Sequence, residues 1–298
     1  MLALAVICFG KAFVLTPTLP DSDATFREHY QKQVEYRRTS LTRLVPEIDQ
    51  LKLGSYLFID SKQAKVLRRV ICEVSSELRT DSDFQDSSSA LGMAYDAYEY
   101  RPENAQGDVL IFLHGSLGNF KGYVWSLKET ADASGMTILA TTYGMGNWQH
   151  DEGCSRLAQM RAYCQNEEAL NNKRLFLGGI SNGGRGCLRA VQQFGNTFTG
   201  ISLISPVMED HLINSTSFQL RSPNLPFLIL HGTRDRRIPI DFVRRSMKLL
   251  ENRGANVDLR SWESEDHFLM FHRRDELENV LTPWIQSQES AGETSENL

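Results

Sequence analysis

Leu175-Phe-Leu-Gly-Gly-Ile-Ser-Asn-Gly-Gly184 decides how the rest of the chain is read. A short apolar run stops at Ser181, which stands among four glycines, and a helical pattern from about Gly183 to Phe194 follows. Residues this small gather round a serine where the backbone bends tightly or another segment comes close. The reading is a strand, a sharp turn with the serine on it, and a helix.

The same rhythm continues on both sides. Further apolar runs read as buried strands: Asp108–Gly115, Met136–Gly144, Gly200–Val207, Pro226–Gly232 and Val257–Ser264. Helical spacing predicts helices over about Cys154–Leu170, Asp241–Asn252 and Arg273–Gln286, with another between the first two runs and one between Val207 and Leu225. Met93–Pro102, alternating and aromatic, predicts one more strand, ended by Pro102. Buried strands alternating with helices predict a mostly parallel sheet covered on both faces. Right-handed crossovers then bring the C-terminal ends of the strands to one edge, where ligands bind in such sheets.

Four of those ends carry chemistry-bearing residues. The first gives His114-Gly115-Ser116-Leu117-Gly118, and the third the G-x-S-x-G of Gly179–Gly183. Asp235 lies a few residues past Pro226–Gly232, and His267 follows the last strand. A nucleophile, an acid and a base thus reach one edge in the order Ser181, Asp235, His267. Asp210, after Gly200–Val207, competes for the acid's place, whereas Asp266 reads as a loop carboxylate. His114 and His231, each before a glycine at a strand end, read as satisfied turn histidines, and Ser205 as a strand-end turn residue.

From about Met93 to Gln286 the chain resembles an α/β-hydrolase fold serine hydrolase. The specific part of the likeness is the G-x-S-x-G in its strand-turn-helix setting. The stretch Gly178–Gly184 is also similar to the elbows of the polyhydroxybutyrate-depolymerase and prolyl-oligopeptidase-like branches. The resemblance implies Ser181 as nucleophile, His267 as its general base and Asp235 as the residue that orients the imidazole. Side chains at Gly179 and Gly183 would collide as strand and helix close up, and Gly178 and Gly184 relax the same crowding. The N–H of Asn182, at the positive end of the following helix, is the first expected oxyanion donor. The second is the N–H of Ser116, with Leu117 as its neighbour and alternative. The expected organisation is a candidate signal or buried segment over 1–20, a helical N-terminal extension over 21–92, the hydrolase domain over 93–286 with a short cap, and a polar, disordered tail over 287–298.

In the extension, Phe26, Tyr30 and Val34 suit an amphipathic helix. Leu67, Val70, Ile71, Val74 and Leu78 predict another over 62–79, with a strand through Arg68–Val74 as the rival. Residues 80–92 read as a turn-rich loop. The apolar start, Met1 to Leu15, is interrupted by Lys11 and falls short of the roughly 20 residues that span a bilayer. No basic residue precedes it and no A-x-A site follows, which tips the reading towards the cytoplasm while leaving export open.

Composition narrows the function classes. A formal net charge of -5 over 298 residues argues against a nucleic-acid surface. Five cysteines without CxxC spacing make neither a disulfide framework nor a zinc motif. Cys154 and Cys164 on one helix would sit about 15 Å apart, beyond disulfide reach. His150 and His211 lack companions at metal-ligand spacing, and neither a P-loop nor a dinucleotide fingerprint is present. No cofactor or metal is expected. The partner is a small ester or acyl substrate, with Tyr143, Met145 and Trp148 as candidate pocket walls, and the oligomeric state is open. The expected activity is hydrolysis of a carboxylic ester through an acyl-enzyme. Acyl transfer, peptide cleavage and a non-catalytic binding role on the same fold stand as alternatives.

Overall fold

A computed structural model describes residues 63, 66, 69–70, 85–86, 97–105, 107–116, 121–141, 143, 148 and 151–288. The chain divides into two compact units, Met1–Arg79 and Thr80–Leu298. In the first, Gln63, Val66, Arg69 and Val70 are helical, in keeping with the helix predicted over 62–79, and Val70 is fully buried. Of the other expectations for the extension, the loop over 80–92 is described only at residues 85–86, and the rest lie outside the described residues.

The second unit holds the sheet. Its strands are β1 (Gln85–Asp86), β2 (Ala97–Tyr100), β3 (Val109–Leu113), β4 (Thr137–Thr141), β5 (Leu175–Ile180), β6 (Gly200–Ile204), β7 (Pro226–Gly232) and β8 (Asn256–Trp262). They lie in the order β1-β2-β4-β3-β5-β6-β7-β8. From β4 to β8 every pairing is parallel, while β1 and β2 run antiparallel at the other edge. β1 is a correction: Gln85 and Asp86 lie in the stretch read as a turn-rich loop, and they pair with Glu99 and Tyr98 of β2. Two polar residues carry no alternating apolar signal, so the sequence gives no sign of this edge pairing.

The helices are α1 (Lys121–Ser134), α2 (Asp151–Asn166), α3 (Asn182–Phe194), α4 (Asp210–Ile213), α5 (Thr216–Arg221), α6 (Ile240–Asn252), α7 (Leu269–His272) and α8 (Arg274–Ser287). Strand residues alternate between faces, and both faces are covered. Ile111, Leu177, Leu203 and Ile229 join α2, α3 and α6 in one fully buried core through Met160, Leu188, Val191 and Val243. Each such aliphatic side chain contributes roughly 1.5–3 kcal/mol by leaving water. On the opposite face Phe112 packs on Tyr123 of α1 and Phe176 on Trp284 of α8. β3 and β4 are buried along their whole length, which is why they read as unbroken apolar runs. β8, at the edge, is half-buried to exposed and mixes Asp258 and Arg260 into its sequence.

The segment 207–225, expected as a short cap, forms α4 and α5. Gln192 of α3 reaches the Leu212 carbonyl and the Ser215 hydroxyl, and Gly195 abuts Arg221. α5 therefore lies beside the C-terminal end of α3, while α4 starts near its first turn, where Glu209 pairs with Arg185 at 2.7 Å, and runs towards Gln192. Cys154 and Cys164 share α2 and are free thiols, as is Cys187. Among the described residues, no helix is long and apolar enough to cross a membrane.

Candidate active site

Ser181 caps the N-terminus of α3 with φ 53° and ψ −118°, a conformation that costs a non-glycine residue roughly 1–3 kcal/mol. Its surroundings hold it there. Its N–H donates to the Ile204 carbonyl of β6 at 3.0 Å, and its own carbonyl accepts from Gly184 at 2.9 Å and Val207 at 2.8 Å. The glycines are steric necessities. A Cβ on Gly183 would fall 2.1 Å from the Leu113 carbonyl oxygen, and one on Gly179 would fall 2.7 Å from the Gly183 carbonyl carbon. The crowding at Gly183 thus comes from the end of β3, not from β5 as the sequence suggested.

The loops after β7 and β8 bring the other two groups. His267 Nε2 lies 3.1 Å from Ser181 Oγ, and His267 Nδ1 lies 2.7 Å from Asp235 Oδ2. The other carboxylate oxygen, Oδ1, accepts the N–H groups of Arg237 at 2.8 Å and Ile238 at 3.0 Å. Asp235 and His267 are 4% and 7% exposed. Burial pushes the Asp235 carboxyl up, but the hydrogen bond and charge of His267 and the two backbone donors outweigh it, leaving the group below its usual 3.8. An ionised Asp235 can only accept, so His267 Nδ1 carries a proton and Nε2 is free to take the one on Ser181.

The two loops are sewn together. Arg234 N–H donates to the Glu265 carbonyl and Thr233 N–H to the Trp262 carbonyl, each at 2.9 Å. A Cβ on Gly232 would fall 2.3 Å from the Glu265 carbonyl oxygen, so only glycine lets the loops touch. Glu265 is itself clamped by Arg273 at 2.7 Å and His272 at 2.9 Å. Asp266 accepts the Phe268 N–H at 2.8 Å, as a loop carboxylate does. Asp210, the competing acid, begins α4 and pairs with Arg245 at 3.6 Å, while Asp235 holds the imidazole.

On the other side of Ser181, Asn182 opens α3 and its Nδ2 donates to Ser116 Oγ at 2.9 Å. The two segments expected to supply oxyanion donors therefore meet. A Cβ on Gly115 would lie 3.2 Å from that of Ser181, so this loop runs directly against the elbow. Leu117 lies outside the described residues. His114 keeps the loop in place: Nε2 accepts the Tyr143 N–H at 3.0 Å, so Nδ1 carries the proton and donates to the Gly115 carbonyl at 2.7 Å.

Trp148 corrects the expected pocket. It is 1% exposed, and its indole N–H donates to the His114 carbonyl at 2.8 Å. The Gly186 backbone leaves room for it beside Leu113. It is a core residue that props the loop from beneath, because an indole with its N–H satisfied gains most by full burial. Tyr143 is half-buried with its ring 5.4 Å from that of Trp148, and Met145 lies outside the described residues.

His231, read as a satisfied turn histidine, is fully buried behind Asp235. Nε2 lies 2.9 Å from the Ile238 carbonyl and 3.9 Å from Asp235 Oδ2, while Nδ1 has no hydrogen-bond partner. Burial holds its imidazole below the ordinary 6.5 despite the pull of Asp235. The readable signal was its place, four residues before the acid in the same strand end.

No family model matches the chain, and no curated protein does. Solved structures do match. Est1E from Butyrivibrio proteoclasticus is similar with a TM-score of 0.54 at 15% identity, over 65% of this chain and 94% of that one. Est1E with bound ferulic acid gives 0.52 at 14%, over 65% and 95%. The esterase Pf2001 of Pyrococcus furiosus gives 0.53 at 13%, over 64% and 85%. At such identities the likeness speaks for architecture, and it agrees with the parallel sheet and its flanking helices: this chain has the α/β-hydrolase fold.

Proposed function

We propose that the protein is a serine hydrolase that cleaves a carboxylic ester through an acyl-enzyme. The observation that carries this reading is the unbroken line from Asp235 through His267 to Ser181, at 2.7 and 3.1 Å. As Ser181 Oγ attacks the ester carbonyl, its proton passes to His267 Nε2, and Asp235 stabilises the imidazolium that results. The carbonyl oxygen, now an anion, faces the N–H groups of Asn182 and Ser116, the first backed by the α3 dipole. Collapse expels the alcohol, which takes the proton from His267. Water then attacks the acyl-serine with His267 as base, releasing the acid and restoring Ser181.

α4 and α5 are only four and six residues long and pack against α3, which suits a small or extended ester better than one enclosed by a large cap. The esterase Pf2001 and the ferulic-acid complex of Est1E share the fold and lend this choice of bond some support. A fluorophosphonate probe tests the reading, followed by p-nitrophenyl esters of increasing chain length. The wild-type chain should take the label and turn over the shorter esters, and Ser181→Ala should do neither. Labelling that persists in the variant, or a folded wild type that takes no label, overturns the proposal.

A further inference from the structure

Behind the Asp235 carboxylate lies a second buried imidazole that the proposed chemistry does not use. His231 donates from Nε2 to the Ile238 carbonyl at 2.9 Å. The N–H of the same residue, Ile238, donates to Asp235 Oδ1 at 3.0 Å. One residue is thus held from both sides, by the imidazole through its carbonyl and by the carboxylate through its N–H. The turn 235–238 cannot shift without breaking the His231 bond.

The nitrogen that donates must carry the proton, so Nδ1 is bare. A bare, fully buried acceptor costs free energy unless it is satisfied. The matching donor stands on the neighbouring strand. Ile204 pairs with Leu230 in the β6–β7 ladder, and Ser205 N–H donates to the Leu230 carbonyl at 2.8 Å, so Ser205 flanks His231. Ser205 is also fully buried, and its Oγ, like His231 Nδ1, has no hydrogen-bond partner in this structure. A leftover hydroxyl and a leftover acceptor on residues in register can satisfy each other through a single water or after a turn of the hydroxyl.

We infer that His231 is a positioning residue of the site: a permanently neutral imidazole, protonated on Nε2 and backed by Ser205, that fixes the turn presenting Asp235 to His267. The inference rests on the Ser181–His267–Asp235 reading. Full burial opposes a charge on His231, against the pull of Asp235. Asp235 and His267 are the charged and titratable groups that act on it. A positive charge 3.9 Å from Asp235 Oδ2 would draw that oxygen away from His267.

The test uses the full chain, with rates counted per site titrated by the fluorophosphonate. His231→Leu should lower kcat about 10²-fold, the cost of a small misplacement, with KM little changed. His231→Gln, whose amide can still donate to Ile238, should recover most of that loss. In proton NMR, the strongly deshielded resonance of the His267 Nδ1 proton should broaden or vanish in His231→Leu and persist in His231→Gln. In ¹⁵N NMR of the wild type, His231 should remain the neutral Nε2–H tautomer from about pH 8 down to pH 5, where an ordinary imidazole charges. Full kcat and an unchanged resonance in His231→Leu would overturn the inference, as would a His231 that titrates in that range. If His231→Leu does not fold, the tautomer and the His231→Gln rate decide. Failure of the triad itself shows separately, as turnover surviving in Ser181→Ala.

Discussion

Two serines end neighbouring strands of the same sheet with a positive φ, 53° at Ser181 and 42° at Ser205. Both are locked by a backbone N–H to the next strand, Ser181 to Ile204 and Ser205 to Leu230. There the likeness ends. Ser181 is half-exposed, is followed by a helix and bonds His267. Ser205 is fully buried and is followed by Pro206, which has no N–H to offer. The strained turn aims a hydroxyl, but the residues after the turn decide whether that hydroxyl meets an imidazole and a field that favours an anion.

The sharpest way to break the comparison is to remove each hydroxyl. Ser181→Ala should cost on the order of 10⁶ in kcat, measured against the p-nitrophenyl ester that the wild type turns over best. Ser205→Ala should keep the probe label and lose less than about tenfold, since its hydroxyl acts only through His231. Comparable losses would make Ser205 part of the reacting set and undo the distinction. Next in size is the acid. Asp235→Asn should lower kcat about 10⁴-fold, because an amide can turn its NH₂ towards His267 and leave the wrong tautomer, while Asp210→Asn should change kcat little.

How much of this the sequence displayed depends on whether a residue's role is local or distant. Ser181 and Gly179 were legible because a strand, a turn and a helix must pack within a few residues of one another, whereas the reason for Gly183, the Leu113 carbonyl at the end of β3, was not. Asp235 and His267 were legible once parallel topology placed their strand ends on one edge. Trp148 was misread because a tryptophan in a glycine-rich loop looks like a pocket wall. Only the tertiary structure shows Gly186 making room for it and the His114 carbonyl taking its N–H. His231 went unnoticed as a functional residue because its meaning lies in Ile238, seven positions on. β1 has no pattern at all, since two residues are too few for one.

The glycines give a prediction of intermediate size. Gly183→Ala places a Cβ 2.1 Å from the Leu113 carbonyl oxygen, a backbone atom with nowhere to go. It should destabilise the protein by more than about 4 kcal/mol, seen as loss of soluble folded chain or a large fall in the denaturant midpoint. Gly115→Ala, with 3.2 Å to Ser181 Cβ, should fold and mainly disturb turnover. Equal tolerance of both substitutions would mean that the elbow is looser than the structure describes.

Acid separates the two regions more gently. His231 is held below 6.5 by burial, so below that pH the unfolded chain binds a proton that the folded chain refuses. Its contribution to stability is complete above about pH 6.5 and falls as pH drops towards the folded value, at no more than about 1.4 kcal/mol per pH unit. Asp235, held below 3.8, adds a second loss that begins only below about pH 3.8. Denaturation between pH 7 and 5 should therefore show a slope that His231→Gln removes and Asp235→Asn does not.

The smallest effect is the most discriminating, because its sign is at stake. If Ser205 Oγ is an orphan, Ser205→Ala removes a buried, unsatisfied hydroxyl and keeps the Cβ, so the backbone strain is unchanged and stability should rise. If the hydroxyl serves His231 Nδ1, the alanine leaves that nitrogen bare and stability should fall by about 1 kcal/mol. In His231→Gln the hydroxyl has already lost its imidazole, so the same alanine should cost less there, and the difference is the coupling between the two residues. A double-mutant cycle by urea denaturation at pH 7.5, above the range in which His231 charges in the unfolded chain, measures that coupling directly. A value of zero would leave His231 anchored to Ile238 alone and would make Ser205 a turn residue with no part in placing the acid.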